Sequence, residues 1–175
     1  MCIDFSSDGN LVAVGVEARP GDSSNDKTGA TEIWSLEDDA RVATTARARS
    51  PTASVAFVPV PALSADADGI RYAIASIDLE GVLQVSALLS PEKDATPGSG
   101  QPLRAVTAAN AAIELGSDAH APGGAMHRIT RVSSTEDGSR LIVAGRGGLA
   151  IVDGIQPALR KAAAAAAAAG AAPSH

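Results

Sequence analysis

The chain has 175 residues and a net charge of −6 from 14 basic and 20 acidic residues, with a single cysteine. That is enough length for one ordinary domain. The scattered Lys and Arg argue against charge-driven nucleic-acid binding, and one cysteine excludes an intrachain disulfide framework or a multi-Cys metal site. Hydrophobic residues make up 45%, but 37 of them are Ala, and the aromatic residues are only Phe5, Trp34, Phe57 and Tyr72. A core must therefore come from Val, Ile and Leu. A chain so poor in large anchors points to a part of something larger rather than a small closed domain.

In chain order, one pattern occurs three times. The first copy runs Ile3-Asp4-Phe5, Asp8-Gly9, Leu11-Val12-Ala13-Val14-Gly15 and ends in Gly29-Ala30-Thr31-Glu32-Ile33-Trp34. The second runs Val55-Ala56-Phe57, Asp68-Gly69, Tyr72-Ala73-Ile74-Ala75-Ser76 and ends in Gly81-Val82-Leu83-Gln84-Val85-Ser86. The third runs Val132-Ser133-Ser134, Asp137-Gly138, Leu141-Ile142-Val143-Ala144-Gly145 and ends in Gly148-Leu149-Ala150-Ile151-Val152-Asp153. Each copy reads as a strand, an Asp-Gly turn that needs a positive φ, an apolar strand covered on both faces, a second glycine turn and a third strand. Weaker fourth strands are expected at 41–48 and within 103–115, whereas the third copy stops after its third strand. The structural repeat positions are thus Phe5, Asp8, Gly9, Trp34, Phe57, Asp68, Gly69, Gly81, Asp137, Gly138 and Gly148.

Four antiparallel strands repeated in series describe a β-propeller blade. The expected fold class is all-β: a partial propeller of about three four-stranded antiparallel blades with a low-complexity Ala-rich C-terminal tail. The propeller spans 1–154, with blades at about 1–50, 51–116 and 126–154. Asp8 and Asp68 are 60 residues apart and Asp68 and Asp137 are 69, against about 40–45 for a compact blade. The excess is assigned to loop insertions at 19–28, 59–67, 90–102 and 116–125. The tail at 155–175, with Ala162–Ala169 at its centre, reads as disordered or a short helix without an amphipathic face. Three copies are fewer than a closed ring needs. The chain is therefore expected to be the C-terminal part of a longer propeller or a truncated product. Its uncovered edges predict oligomerisation or poor solubility.

Sharper chemistry finds little support. Gly145-Arg146-Gly147-Gly148-Leu149-Ala150 satisfies a loose dinucleotide signature, but that motif needs a following helix. Here a hairpin is expected. Glu37-Asp38-Asp39, Asp66 with Asp68, and Asp22 to Asp26 lack the continuation of a calcium loop and read as solvated turns. His120, His127 and His175 are far apart, and Cys2 reads as a packing residue. No catalytic, cofactor-binding or metal residue is assigned, and no enzyme activity is expected. With no signal peptide and no long apolar run, the expected location is cytoplasmic, and also nuclear.

Phe5-Ser6-Ser7-Asp8-Gly9, the strand after it and Ile33-Trp34 resemble a WD40 repeat. The resemblance covers about residues 1–154 and is most specific in the first copy. Ser35 stands where an Asp is usual, Ser86 and Asp153 replace the Trp, and no Gly-His dipeptide precedes a copy. The buried hydrogen-bond tetrad of that family is therefore incomplete; His127 stands just before the third copy. Within WD40 proteins, Val55–Leu63 with its prolines, then Arg71-Tyr72 through Leu79-Glu80-Gly81, resembles the penultimate blade of the Elongator complex subunit 2 family. The insert before Ala30-x-x-Ile33-Trp34 and His127-Arg128-Ile129 before a last blade follow the same order. That resemblance implies a non-catalytic scaffold that helps hold Elongator's largest and catalytic subunits in the assembly that modifies the transfer-RNA wobble uridine. No cofactor, nucleic acid or membrane is implied for this subunit itself. The broader alternative is a WD40 interaction adaptor in another complex, in trafficking, ubiquitination or chromatin.

Overall fold

The computed structural model describes residues 1–17, 28–60, 69–90, 102–113, 129–145 and 148–170. They form eleven strands and one helix, arranged as three consecutive antiparallel sheets. Sheet 1 holds β1 (Cys2–Phe5), β2 (Leu11–Glu17), β3 (Gly29–Ser35) and β4 (Ala40–Thr44) in that order. Sheet 2 holds β5 (Thr52–Val58), β6 (Ile70–Asp78), β7 (Val82–Leu89) and β8 (Arg104–Ala112). Sheet 3 holds β9 (Ile129–Ser134), β10 (Leu141–Gly145) and β11 (Gly148–Val152). Each sheet is a meander whose neighbours in sequence are neighbours in space, the arrangement that three copies of one strand-turn pattern require. The expected weak strands are present as β4 and β8, and Ala48 adds one antiparallel bridge to Gly29. The insertions at 19–28, 59–67, 90–102 and 116–125 lie largely outside the described residues.

The sheets stack face to face. β5 lies across β1 and β2, and β9 lies across β5 and β6, so the first strand of each sheet meets the first two strands of the sheet before it. Sheet 2 is the middle layer. Val55, Ile74 and Leu88 on one of its faces join Leu11, Ala13, Ile33, Val42 and Ala43 of sheet 1 in one core. Ala56, Val58, Ala73, Ala75, Ile77, Leu83, Val85 and Ala87 on the other face join Val132, Leu141 and Val143 of sheet 3 in a second. This two-sided burial explains why β6 and β7 read as nearly continuous apolar runs. Alternate residues serve opposite cores, as a period of two requires.

The tail takes the helical form of its two expected forms, but with a buried face where none was expected. Residues 155–170 form helix α1 (Ile155–Gly170), which packs on β8, β7 and β6. Ile155, Leu159, Ala163 and Ala166 are buried along one face. Spaced by four, four and three residues, they form the stripe of an amphipathic helix. The contrast is invisible in composition because Ala occupies the exposed faces too. Ile155 and Leu159 choose the face, and the alanines beyond them let the helix lie close to the sheet. Isolated, such a helix is marginal in water; docking supplies the missing free energy. Sheet 3 has three strands where sheets 1 and 2 have four, and α1 covers the outer strands of sheet 2 that a fourth strand would otherwise face. No helix among the described residues is long and apolar enough to cross a membrane.

Candidate functional site

The repeat positions divide between turn-forming and packing roles. Gly9, Gly69, Gly81, Gly138 and Gly148 all have positive φ, between +65° and +124°. The Asp8-Gly9 and Asp137-Gly138 turns are built alike. Ser6 Oγ donates to Asp8 Oδ1 at 2.6 Å, and Thr135 Oγ1 donates to Asp137 Oδ1 at 2.6 Å. The amides of Asn10 and Ser139 donate to the same oxygens at 3.1 and 3.0 Å. The amides of Gly9 and Gly138 close each turn onto the carbonyls of Ser6 and Thr135. Hydrogen bonds from Thr135 and Ser139 hold the Asp137 carboxyl at a pKa of about 2. Asp68 lies outside the described residues, as do Asp22, Asp26, Asp66, His120, His127 and His175.

Three of the four aromatic positions converge. Phe57 on β5 and Tyr72 on β6 meet edge to face, with ring centroids 6.2 Å apart at 72°. With Phe5, Asp4, Ser6, Ser7, Asp8, Val58, Pro59, Val60 and Arg71 they line a groove of about 270 Å³ between sheets 1 and 2. Tyr72 Oη donates to Asp8 Oδ2 at 2.7 Å, and the Phe57 amide donates to Asp4 Oδ2 at 2.7 Å. Asn10 Nδ2 donates to Asp8 Oδ2 at 3.0 Å. Asp8 thus accepts four hydrogen bonds, about the full capacity of a carboxylate, which makes it the clamp of the groove wall rather than a free ligand. Burial opposes its ionisation, but the hydrogen bonds from Ser6, Tyr72 and Asn10 outweigh it and hold its pKa below the ordinary value. Burial, and then the Asp8 carboxylate, push Tyr72 up to about 12.

Trp34 stands apart from the groove, on the outward face of β3, where its Nε1 donates to Glu32 Oε2 at 3.2 Å; Glu32 also pairs with Arg41 at 2.7 Å. Gly145–Ala150 leads from β10 into β11 in register Gly145 to Gly148, so a strand follows the glycines and no helix presents amides to a phosphate. Glu37, Asp38 and Asp39 are an exposed turn. The Cys2 thiol is half-buried, its pKa raised by burial, and its Sγ lies 3.7 Å from the Thr52 carbonyl. No group of three or more His, Cys, Asp or Glu among the described residues is placed to hold a metal.

Sequence reasoning passed over Asp78. It is buried at the end of β6, and its Oδ1 accepts from the amides of Glu80 at 3.0 Å and Val82 at 2.8 Å. It therefore shapes the β6–β7 turn. Its signal was available: an acidic residue closing an apolar run three positions before Gly81. Its Oδ2 has no hydrogen-bond partner among the described residues.

No family model matches the chain, and no curated protein matches it in sequence. Its fold is widely shared, since 195 solved chains match it. One is a chain of a structure described as the crystal structure of mitotic checkpoint complex, at 12% identity and a TM-score of 0.52. The match covers 86% of this chain and 32% of that one, so this chain spans about a third of its solved neighbour. With the meander order and the stacked sheets, the likeness defines the fold as that of a partial WD40-like β-propeller.

Proposed function

We propose that the chain is a non-catalytic protein-interaction scaffold, a WD40-like adaptor within a multiprotein complex. The supporting observation is the groove between sheets 1 and 2. Its volume of about 270 Å³ lies below the usual range of about 300–1,000 Å³ for small-molecule sites. It suits one or two side chains of a partner protein. Its walls combine Phe57, Tyr72 and Val60 with Asp4 and Arg71, the mixture of aromatic anchor and charge that recognition surfaces favour.

The test is affinity capture of the tagged full chain from cells, beside Tyr72→Ala and Arg71→Glu. The reading expects a stoichiometric assembly that both variants release while remaining folded. A chain recovered alone, or an assembly indifferent to both variants, refutes it. A thermal shift of the chain on adding a nucleotide would instead favour an enzyme, because a ligand of the folded state stabilises it.

The second reading is Elongator subunit 2-like scaffolding, favoured by the Val55–Leu63 and Arg71–Gly81 pattern and the order of the copies. It expects Elongator's largest and catalytic subunits in the captured assembly, with cytoplasmic and nuclear localisation. A different stoichiometric assembly would retain the adaptor reading and discard this one.

A further inference from the structure

We propose that the outward face of sheet 3 docks the outward face of sheet 1 of a second copy, head to tail, closing a two-copy assembly. The inference goes beyond the adaptor reading and does not depend on what enters the groove. It rests on a rule that the chain applies twice. At each junction the first strand of the following sheet lies across the first two strands of the preceding one: β5 across β1 and β2, then β9 across β5 and β6.

Two positions of β1 and one of β5 supply polar links to the next sheet. In β1 they are Cys2 and Asp4: Cys2 Sγ faces the Thr52 carbonyl and Asp4 accepts from the Phe57 amide. In β5 the position equivalent to Cys2 is Ser54, whose Oγ accepts from the Val132 amide at 3.1 Å, while the position equivalent to Asp4 is Ala56, which packs in the core. In β9 the equivalent residues are Arg131 and Ser133. They alternate with buried Val132 and so face away from sheet 2. Neither side chain makes a hydrogen bond to a described residue. Asp8, too, receives Tyr72 from the following sheet, whereas the equivalent Asp137 receives nothing from beyond its own turn.

Both halves of a third junction are present, on opposite ends of the molecule. Sheet 3 turns outward Ile142, Leu149 and Ile151, with Leu149 72% and Ile151 63% exposed. Ile142 and Ile151 are directly paired, and Leu149 pairs with Ala144, so the patch is contiguous. Sheet 1 turns outward Ile3, 53% exposed, in register with Val14. Applied once more, the rule lays β1 of a second copy across β9 and β10 of the first. Ile3 then meets Ile142 and Ala144, with Arg131 and Ser133 beside its backbone. The two surfaces differ, so the contact is heterologous and must close on itself or grow into a filament. Two copies would bring six sheets together, within the four to eight blades typical of rings.

The experiment is light scattering coupled to size-exclusion chromatography on the full chain over a concentration series. The wild type is expected at twice its mass of 17.4 kDa. Ile3→Glu and Leu149→Glu, each altering an exposed side chain, should each halve the mass with unchanged circular dichroism. Ile151→Glu provides an independent probe of the second face. An equimolar mixture of Ile3→Glu and Leu149→Glu retains one intact pair of faces and should regain the two-copy mass at high concentration. Four outcomes overturn the proposal: a wild-type monomer at every concentration, a dimer that survives substitution of either face, mass that climbs beyond two copies, or no rescue in the mixture.

Discussion

The two junctions of this molecule solve one packing problem with different materials. Between sheets 1 and 2 the core closes with strands on both sides, and its end is pinned by polar and aromatic groups: Tyr72 on Asp8, Phe57 on Asp4, Phe57 against Tyr72. Between sheets 2 and 3 the cluster also takes in a helix, since α1 contributes Ile155, Leu159 and Ala163. There Gln156 Nε2 donates at 2.9 Å to both the Pro59 and Gly138 carbonyls, beside two serine links between the sheets: Ser54 Oγ accepts from the Val132 amide and Ser134 Oγ donates to the Phe57 carbonyl. A strand sheds its neighbour's backbone demands onto another strand. A helix satisfies its own backbone and offers only side chains, so it covers a sheet with no fourth partner at hand.

Substitutions can break this contrast, beginning with the largest expected effect. Leu159→Ala removes the helix's main anchor and should cost about 2–5 kcal/mol in urea unfolding. Part of the helical circular dichroism should be lost with it. The equivalent glycines come next. Gly9 and Gly138 share a left-handed φ, at +72° and +65°, but a Cβ at Gly9 enters open space whereas one at Gly138 strikes the Pro59 carbonyl and Gln156. Gly9→Ala should cost about 1–2 kcal/mol from backbone strain alone. Gly138→Ala should cost clearly more, and thermal melts of the pair read the difference. Comparable losses would mean that the helix does not press the third turn against sheet 2.

Smaller effects sharpen the first junction. Tyr72→Phe deletes the phenol's bond to Asp8 and should cost about 0.5–1.5 kcal/mol. The same residue gives a pH signature. Its folded pKa of about 12 lies above the ordinary value of 10, so the folded state holds its proton more tightly. That stability is complete below pH 10 and is lost as pH rises from 10 to 12. As Tyr72 is the only tyrosine, ultraviolet titration reads it directly, and the steepened loss of stability over that range should vanish in Tyr72→Phe. The smallest effect belongs to Asp137→Asn. Its depressed pKa comes from bonds within its own turn to an exposed carboxyl, so the midpoint at neutral pH should scarcely move, while Asp8→Asn, which weakens a link between sheets, lowers it measurably.

The sheets were legible in the sequence because their signals are local. Asp8-Gly9, Asp137-Gly138 and Gly81 demand turns, and Leu11–Val14, Ala73–Ile77 and Leu141–Ala144 read as strands at any register. The three-stranded third sheet was legible for the same reason. The docked helix was not, because an alanine stripe among alanines has no contrast until Ile155 and Leu159 find their partners on β7 and β8. Nor was the groove: Phe57 and Tyr72 lie 15 positions apart in sequence, and Asp8 another 49 before Phe57. They meet only because sheets 1 and 2 stack. Asp78 was hidden differently, since a buried carboxylate that shapes a turn looks, in sequence, like any acidic turn residue.

Hydrogen exchange of the full chain tests most directly the claim that the outer strands of the middle sheet are covered by helix α1. The amides of α1 from Leu159 to Ala168 should exchange slowly, on the timescale of β6 and β7, and should lose that protection in Leu159→Ala. Exchange of those amides at the rate of an unstructured peptide, with the sheets still protected, would contradict it.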